Sequence, residues 1–382
     1  MAKKTRITLA GGGTAGHMNP LLAISVELKL IAETSGTNLE ISYVGNPGKF
    51  DTKFATNGVI IRRIVESRIR RYAAPQNILE GPKFVLGFLQ ALWHLFWIMP
   101  DLVFSKGGPG SLSVVLAARF YRIPVAIHES DATPGMTTQV SSRFAEKIFL
   151  SFESAKDFLP IGAQRFAEVT GNPLRRSLLS DVPDQISAKK ALGFNPELPL
   201  IFVVGGSQGS DRINNLILAS LPDILNSGIQ ILHQTGDGLF EKVKGSLGNY
   251  FASAEEMEAS GYRPIPSFEG DMKEAISAAD LIVSRAGSSI FEFAAFGKPS
   301  ILIPLPEAAQ NHQLLNARAY EKVGGCIVLE EDSITVPNFI NLIKSLVIDE
   351  GRLKVMSDSA KKFAKPDAAS AIALKLIELA TF

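Results

Sequence analysis

The sequence predicts an α/β protein of two doubly wound domains, and three observations predict it. Short β-branched apolar runs alternate with helix-length segments, as in βαβ units feeding a parallel sheet; residues 41–45, 102–105 and 125–128 are examples. A polar stretch from Ser180 to Pro199, with prolines at 183, 196 and 199, interrupts this rhythm and reads as the connection between domains. The two halves then open alike. Residues 7–10 lead into Gly11-Gly12-Gly13-Thr14-Ala15-Gly16, and residues 200–204 into Gly205-Gly206-Ser207-Gln208-Gly209, each a strand, a glycine turn and a helix. Two sheets facing across a cleft are expected, with ligands outside the carboxyl ends of the strands.

Composition bounds the rest. At 382 residues the chain exceeds one ordinary core, and 46% hydrophobic with 20% charged residues is a globular balance. Residues 1–6 run directly into an apolar strand rather than a secretory signal, so a cytoplasmic protein is expected. The single cysteine, Cys326, excludes an internal disulfide and any multi-thiolate metal site, and reads as core. A net charge of +1 conceals an asymmetry, because residues 1–160 hold 18 Lys and Arg against 12 Asp and Glu. The N-terminal half is therefore expected to meet something anionic, densest at Arg62, Arg63, Arg68, Arg70 and Arg71, with a solvated basic face as the plainer reading. No nucleic-acid partner is expected.

Gly11-x-Gly13-x-x-Gly16 has the letters of a dinucleotide fingerprint, whose backbone N–H groups hold a diphosphate at a helix start. A nicotinamide site also needs an acidic residue at the end of the second strand. Here that strand ends Tyr43-Val44-Gly45-Asn46-Pro47, which disfavours a dehydrogenase. The second turn, with Ser207, Gln208 and Ser210 ahead of a helix, suits a phosphate, or is a tight turn holding nothing. His17 follows the first turn at a helix start, where the positive helix end favours a neutral imidazole. As general base it would take a proton from an acceptor hydroxyl, a role worth about 10² to 10⁴ in rate; its plainer role is helix capping. His128, Glu129 and Asp131 end another strand and would bind sugar hydroxyls or supply a second base, with Asp131 equally suited to cap a helix.

In the second half, Ser288, Ser289 and Glu292 follow the strand at 281–283, placing a carboxylate one turn into a helix where it can accept two ribose hydroxyls. Gln310, Asn311, His312 and Gln313 offer groups to a sugar, and Arg175 would offset diphosphate charge. No carboxylates cluster at metal-ligand spacing, so catalysis without metal or cofactor is the simpler expectation. Residues 83–99 are apolar almost all round and include both tryptophans, yet fall short of the about 20 residues of a membrane span. They read as a helix lying in a bilayer interface beside the arginines, or as a buried core helix.

Together these elements resemble the MurG family, peripheral membrane transferases that add N-acetylglucosamine to lipid I in peptidoglycan synthesis. The marks are residues 12–17 (Gly-Gly-Thr-Ala-Gly-His), Lys106-Gly107-Gly108, His128-Glu129, Gly171-Asn172-Pro173-Leu174-Arg175, 205–209, Ser284-Arg285-Ala286-Gly287, Gly297-Lys298-Pro299 and His312-Gln313 through Asn316-Ala317. The resemblance implies the GT-B fold of two Rossmann-like domains. Residues 1–175 would bind acceptor and membrane, with the C-terminal helix (about 365–382) packing back on them, and 176–364 would bind the nucleotide sugar. It implies inverting transfer from UDP-N-acetylglucosamine to lipid I, forming lipid II at the anionic cytoplasmic face of the membrane. His17 or Glu129 would be the base. Thr14, Ala15 and Gly16 would line the acceptor side, and the Asp131 position would bear on donor-sugar and acceptor contacts. Ser207 would contact the donor phosphates, Glu292 the ribose and Gln313 the sugar hydroxyls, Arg175 with the backbone near Glu269 would help hold the uridine, and Gln208, Ser288 and Ser289 would be further substrate-binding residues. Three positions depart from the family pattern: Asp131 replaces the usual Asn, the loop from Arg285 to Glu292 is one residue shorter, and Pro109 follows Lys106-Gly107-Gly108. Diacylglycerol or another polyprenyl diphosphate sugar remains an alternative acceptor, and a non-catalytic partner subunit of a glycosyltransferase an alternative role.

Overall fold

The computed structural model describes residues 4–67, 77–206, 208–268, 272–308 and 311–381. The chain divides into two compact units, Met1–Arg175 with Lys365–Phe382, and Arg176–Ala364.

The first unit holds a parallel sheet built, among the described residues, from β1 (Thr5–Ala10), β2 (Leu39–Val44), β3 (Ile60–Arg62), β4 (Leu102–Ser105), β5 (Val125–Glu129), β6 (Lys147–Leu150) and β7 (Ala167–Val169). Their order is β3-β2-β1-β4-β5-β6-β7, so the winding reverses between β1 and β4. The inner strands are largely buried because both faces are covered. Ile7, Leu9, Leu102 and Phe104 pack on one side against the helix Ala15–Ser35. Val103, Ile127 and Ile148 pack on the other against Ala91 and Leu95 of the helix Asn77–Ile98 and Val114 of the helix Ser111–Phe120. The C-terminal helix Ala368–Thr381 adds Ile372, Leu376 and Ala380, one stripe at four-residue spacing, to the first of these clusters. Its approach is tied down where the Lys365 ammonium donates to the Val169 carbonyl at 2.7 Å.

The second unit repeats the plan with β8 (Leu200–Val204), β9 (Gln230–Gln234), β10 (Tyr262–Ile265), β11 (Leu281–Ser284), β12 (Ser300–Leu302) and β13 (Cys326–Val328), ordered β10-β9-β8-β11-β12-β13. Its reversal falls between β8 and β11. Cys326 is buried in β13. Burial pushes its thiol well above the usual range, so it stays protonated and packs as a small apolar group. The polar stretch 180–199, read as the connection between domains, belongs to this unit. It contains the helix Gln185–Ala191, capped by Asp184, whose carboxylate accepts from the Ser187 N–H at 2.9 Å. Ala188 and Phe194 enter the core beside Phe202, and Lys189 is buried against Asp280 at 2.8 Å. Lys298 caps another helix, Lys273–Ala278, by donating to the Ser277 and Ala279 carbonyls at 2.8 and 2.9 Å. A cation suits the negative end of a helix, although burial lowers this ammonium to about 8.

At the reversal in the first sheet the turn after β1 and the turn after β4 press backbone to backbone. A Cβ on Gly108 would lie 2.3 Å from the Gly12 carbonyl oxygen, and one on Gly12 would lie 2.3 Å from the Pro109 carbonyl oxygen. Gly107 shares the left-handed conformation, with φ +80° against +87° at Gly108, but faces open space. Gly107→Ala should therefore cost only conformational strain, about 1–2 kcal/mol. Gly108→Ala should cost about 1–3 kcal/mol more, because backbone atoms have to move. Equal urea midpoints for the two variants would show that the turns do not interlock.

Candidate functional site

In the first unit the chemistry-bearing residues gather beyond the carboxyl ends of β1, β4 and β5. Thr14 is the N-cap of the helix Ala15–Ser35 in extended conformation, with φ −90° and ψ 170°, and its carbonyl accepts from the His17 and Met18 N–H groups at 3.0 and 3.2 Å. Thr14 is exposed, and Ala15, Gly16 and His17 are half-buried, so this helix start and the imidazole border solvent. The Tyr43 hydroxyl of β2 holds the turn from beneath by donating to the Gly11 carbonyl at 2.6 Å.

Lys106 and Glu129 are buried. The Lys106 ammonium finds no hydrogen-bond acceptor among the described residues. Burial lowers its proton affinity, and the negative charges of Glu129 and Asp131 oppose that. Glu129 uses both oxygens on its own loop. Oε1 accepts from the Asp131 N–H at 3.0 Å, and Oε2 from the Gly135 N–H at 2.9 Å and the Thr138 hydroxyl at 2.6 Å. Burial and Asp131 raise this carboxyl above its ordinary range while Lys106 holds it down. Glu129, the candidate second base, thereby also holds the segment that carries Asp131. Asp131 does not cap a helix: the N-cap of Met136–Ser141 is Gly135.

His128 requires a correction. It is buried, and Nε2 donates to the Gly171 carbonyl at 2.9 Å, which fixes the tautomer and leaves Nδ1 the lone pair, without a hydrogen bond among the described residues. Burial, then Lys106, keep this ring neutral far below the usual imidazole range. It braces the Gly171-Asn172-Pro173 turn.

In the second unit Gln208 is exposed in the turn after β8, and Ser210 caps the helix Asp211–Leu225 with its hydroxyl accepting from the Ile213 N–H at 3.4 Å. Gly209 is squeezed against the end of β9, where an added Cβ would stand 2.1 Å from the Thr235 carbonyl oxygen. Beyond β11, Ser288 is the N-cap of the helix Ser289–Ala295, and Glu292 lies half-buried in its first turn, where the helix end favours a carboxylate. The Gln313 amide oxygen accepts from the Leu305 N–H at 3.0 Å, and Asn316 of the same helix, His312–Glu321, donates to the Ala286 carbonyl at 3.1 Å. Thus Ser288, Ser289, Glu292 and Gln313 are held on neighbouring helix starts of one domain. Ser207, Glu269, Gln310, Arg68, Arg70 and Arg71 lie outside the described residues.

Three residues escaped the sequence reading. Lys106 was seen only as part of a glycine motif. Arg285 is buried beyond β11, donating to Ser210 at 2.7 Å and to the Ile303 carbonyl at 3.0 Å, and it pairs with Glu331, so it ties three strand ends together. His233 on β9 lies beneath the glycine turn, its Nε2 3.0 Å from the Asn214 amide oxygen and its Nδ1 2.9 Å from the Tyr262 hydroxyl. Because the Asn214 amide NH₂ donates to Thr235, its oxygen must accept, so Nε2 carries the proton.

The helix Asn77–Ile98 is neither wholly buried nor wholly free. Ala91 and Leu95 enter the core, and Gly87 approaches so closely that a Cβ would lie 2.3 Å from the Val65 carbonyl oxygen. On the opposite face Val85, Leu86, Leu89, Trp93, Phe96 and Trp97 are exposed, the two tryptophans by 63% and 67%. At 100° per residue these six fall within an arc of about 120°.

Residues 7–150 match the Glycosyltransferase family 28 N-terminal domain and residues 200–372 the Glycosyltransferase family 28 C-terminal domain. A Bacillus anthracis protein named UDP-N-acetylglucosamine--N-acetylmuramyl-(pentapeptide) pyrophosphoryl-undecaprenol N-acetylglucosamine transferase 2 is 36% identical over 89% of this chain and 91% of its own. Among solved structures, Acinetobacter baumannii MurG superposes with a TM-score of 0.71 at 24% identity, covering 98% of this chain and 99% of that one. A UDP-GlcNAc 2-epimerase from Neisseria meningitidis, solved bound to UDP-GlcNAc, gives 0.67 at 15% identity over 98% and 100%. These two likenesses speak for the fold, which is GT-B.

The His233 network carries a pH signature. Burial lowers this imidazole from its ordinary 6.5 to about 3, so the unfolded chain takes up a proton that the folded one refuses. The stabilisation is complete above pH 6.5 and is lost as pH falls toward 3, at about 1.4 kcal/mol per pH unit. His233→Gln keeps a donor and an acceptor but cannot titrate, so the unfolding free energy of its domain should fall less steeply over that window. Parallel slopes in urea titrations at several pH values would contradict the assignment.

Proposed function

We propose, since the chain belongs to glycosyltransferase family 28, that it transfers N-acetylglucosamine from UDP-N-acetylglucosamine to lipid I, the undecaprenyl-diphosphate-linked acceptor, forming lipid II. The observation that carries this reading is the 36% identity, maintained over 89% of the chain, to a protein named for that reaction. In the proposed reaction the acceptor hydroxyl gives its proton to His17, and its oxygen bonds to the anomeric carbon with inversion. The bond from that carbon to the diphosphate breaks, and UDP leaves. Among the groups at the first site, His128 has committed its N–H and buried its lone pair, and Glu129 already accepts from three donors, at Asp131, Gly135 and Thr138. His17 is half-exposed and carries the base role. Thr14, Ala15 and Gly16 line the acceptor side, with Asp131 held nearby by Glu129.

Donor binding is assigned to the second domain: Ser207 and Gln208 to the phosphates, Ser288, Ser289 and Glu292 to the ribose, and Gln313 to the sugar. Arg175 and the backbone near Glu269 complete the uridine site. Helix starts after the glycine turns favour the charge that develops on departing UDP.

The protein is further proposed to work peripherally at the anionic cytoplasmic face of a membrane. Among the described residues no helix is long and apolar enough to cross one. The exposed face of Asn77–Ile98 is suited to lie in the interface, with tryptophan at headgroup level.

His17→Ala should lower kcat by about 10² to 10⁴ with KM little changed, and turnover within a small factor of wild type would remove His17 from the chemistry. Glu292→Gln should act the other way, raising KM for the sugar nucleotide about tenfold or more through loss of charge-assisted ribose hydrogen bonds. Radiolabelled product analysis with purified lipid acceptors reads both variants and identifies the acceptor. Flotation with anionic vesicles should recover wild type but not Trp93→Glu with Trp97→Glu, and equal recovery would remove that helix from the interface.

A further inference from the structure

On one face of the first sheet, alternate residues beside and along β1, β2 and β3, from Lys4 to Arg62 at the end of β3, and the last turns of Asn77–Ile98 line a groove of about 430 Å³. Lys4, Arg6 and Arg62 line it together with Trp93 and Trp97, and its one carboxylate is Glu40. Glu40 is shared, 2.6 Å from the Lys4 ammonium and 3.9 Å from the Arg6 guanidinium. Arg62 makes no ion pair among the described residues. Three cations against one carboxylate leave a surplus of two positive charges. His94 also lines the groove, with its Nε2 turned to the Arg63 carbonyl at 3.1 Å.

We propose that this groove seats the phosphate headgroup of an anionic phospholipid, a contact separate from the apolar stripe. The inference rests on the membrane reading above and gives it a specific lipid chemistry. Two features favour a lipid over a free anion. The cations are partly exposed, and surface charges of that kind hold a freely diffusing ion weakly. The rim, however, is built from Trp93 and Trp97, which also end the exposed stripe that begins at Val85. Val85 and Trp97 stand twelve positions apart, so the stripe runs about 18 Å along the helix. Once it enters the interface, the groove faces a dense layer of headgroups, so the second contact forms at high effective concentration. Tryptophan at headgroup depth and cations at the phosphates then satisfy each other's position. A seat at one end of the stripe also keeps the domain from swivelling about the helix axis.

The chain's two tryptophans both line the groove, so intrinsic emission reports this place alone. Vesicles of phosphatidylcholine mixed with phosphatidylglycerol should shift that emission to the blue, and vesicles of phosphatidylcholine alone should do so far less. Affinity for the mixed vesicles should fall about fivefold for each charge removed, hence about 25-fold in Arg6→Gln with Arg62→Gln. Arg6→Lys with Arg62→Lys should bind like wild type. Lys49→Gln with Lys53→Gln removes equal charge elsewhere on the domain and should leave affinity within about twofold. Equal losses in the two glutamine pairs would mean diffuse attraction and overturn the seat. So would an emission shift with inorganic phosphate in the absence of vesicles, or equal response to neutral vesicles. Transfer to a detergent-dispersed acceptor should survive in the groove variants, which shows that they fold and separates this test from the transferase reading.

Discussion

The first domain depends on two backbones meeting without side chains between them. The turn after β1 and the turn after β4 leave neighbouring strands at the sheet's reversal and would ordinarily diverge to make room for Cβ atoms. At Gly12 and Gly108 that room is occupied by carbonyl oxygens of the opposite turn. Glycine is therefore required there for space as well as for conformation. The close approach brings His17, which follows one turn, onto the same edge as Lys106, which begins the other. The second domain solves the same problem at a different pair of strands, with Gly209 against the Thr235 carbonyl at the ends of β8 and β9. In each case the glycine turn is held from outside by a buried polar group: Tyr43 donates to Gly11, and His233 with Asn214 supports Thr235.

How much of this could be read from the sequence depends on the range of the interaction concerned. Strands and their turns were legible because their signals are local: apolar runs of a few residues, then glycines. The start of the helix after the second turn was legible for the same reason. The helix Gln185–Ala191 was not, since the ion pair that allows Lys189 to be buried reaches Asp280, far along the chain. The two-faced character of Asn77–Ile98 was also hidden, because leucine, phenylalanine and tryptophan look alike in sequence whether they meet core or solvent. Only the packing of Ala91, Leu95 and Gly87 distinguishes the faces.

The candidate site shows the same division. His17, Glu292 and the neighbouring hydroxyls could be placed at helix starts because position relative to a strand-to-helix turn is a local property. The surroundings of Glu129 and His128 were not legible, because their partners decide them. A carboxylate at a strand's end looks available until three donors of its own loop are seen on it, and a histidine looks reactive until one nitrogen is committed to Gly171. Arg285 was similarly read as part of a motif, whereas its Glu331 partner shows that it fastens strand ends.

The buried charges explain why so many ionisable groups can share one strand edge. Lys106 without carboxylates nearby would be driven to its neutral amine, and Glu129 without a cation nearby to its neutral acid. Each moderates the desolvation of the other, and Asp131 adds negative charge at the more exposed side. His128 lies where Lys106 repels a proton, so it remains neutral and its hydrogen bond to Gly171 keeps a single direction. A base placed at this edge therefore works beside neighbours whose protons are already assigned. The proton that leaves an acceptor hydroxyl can then go to the half-exposed imidazole without redistributing charge through the interior, which is the condition for fixed dipoles to assist the reaction.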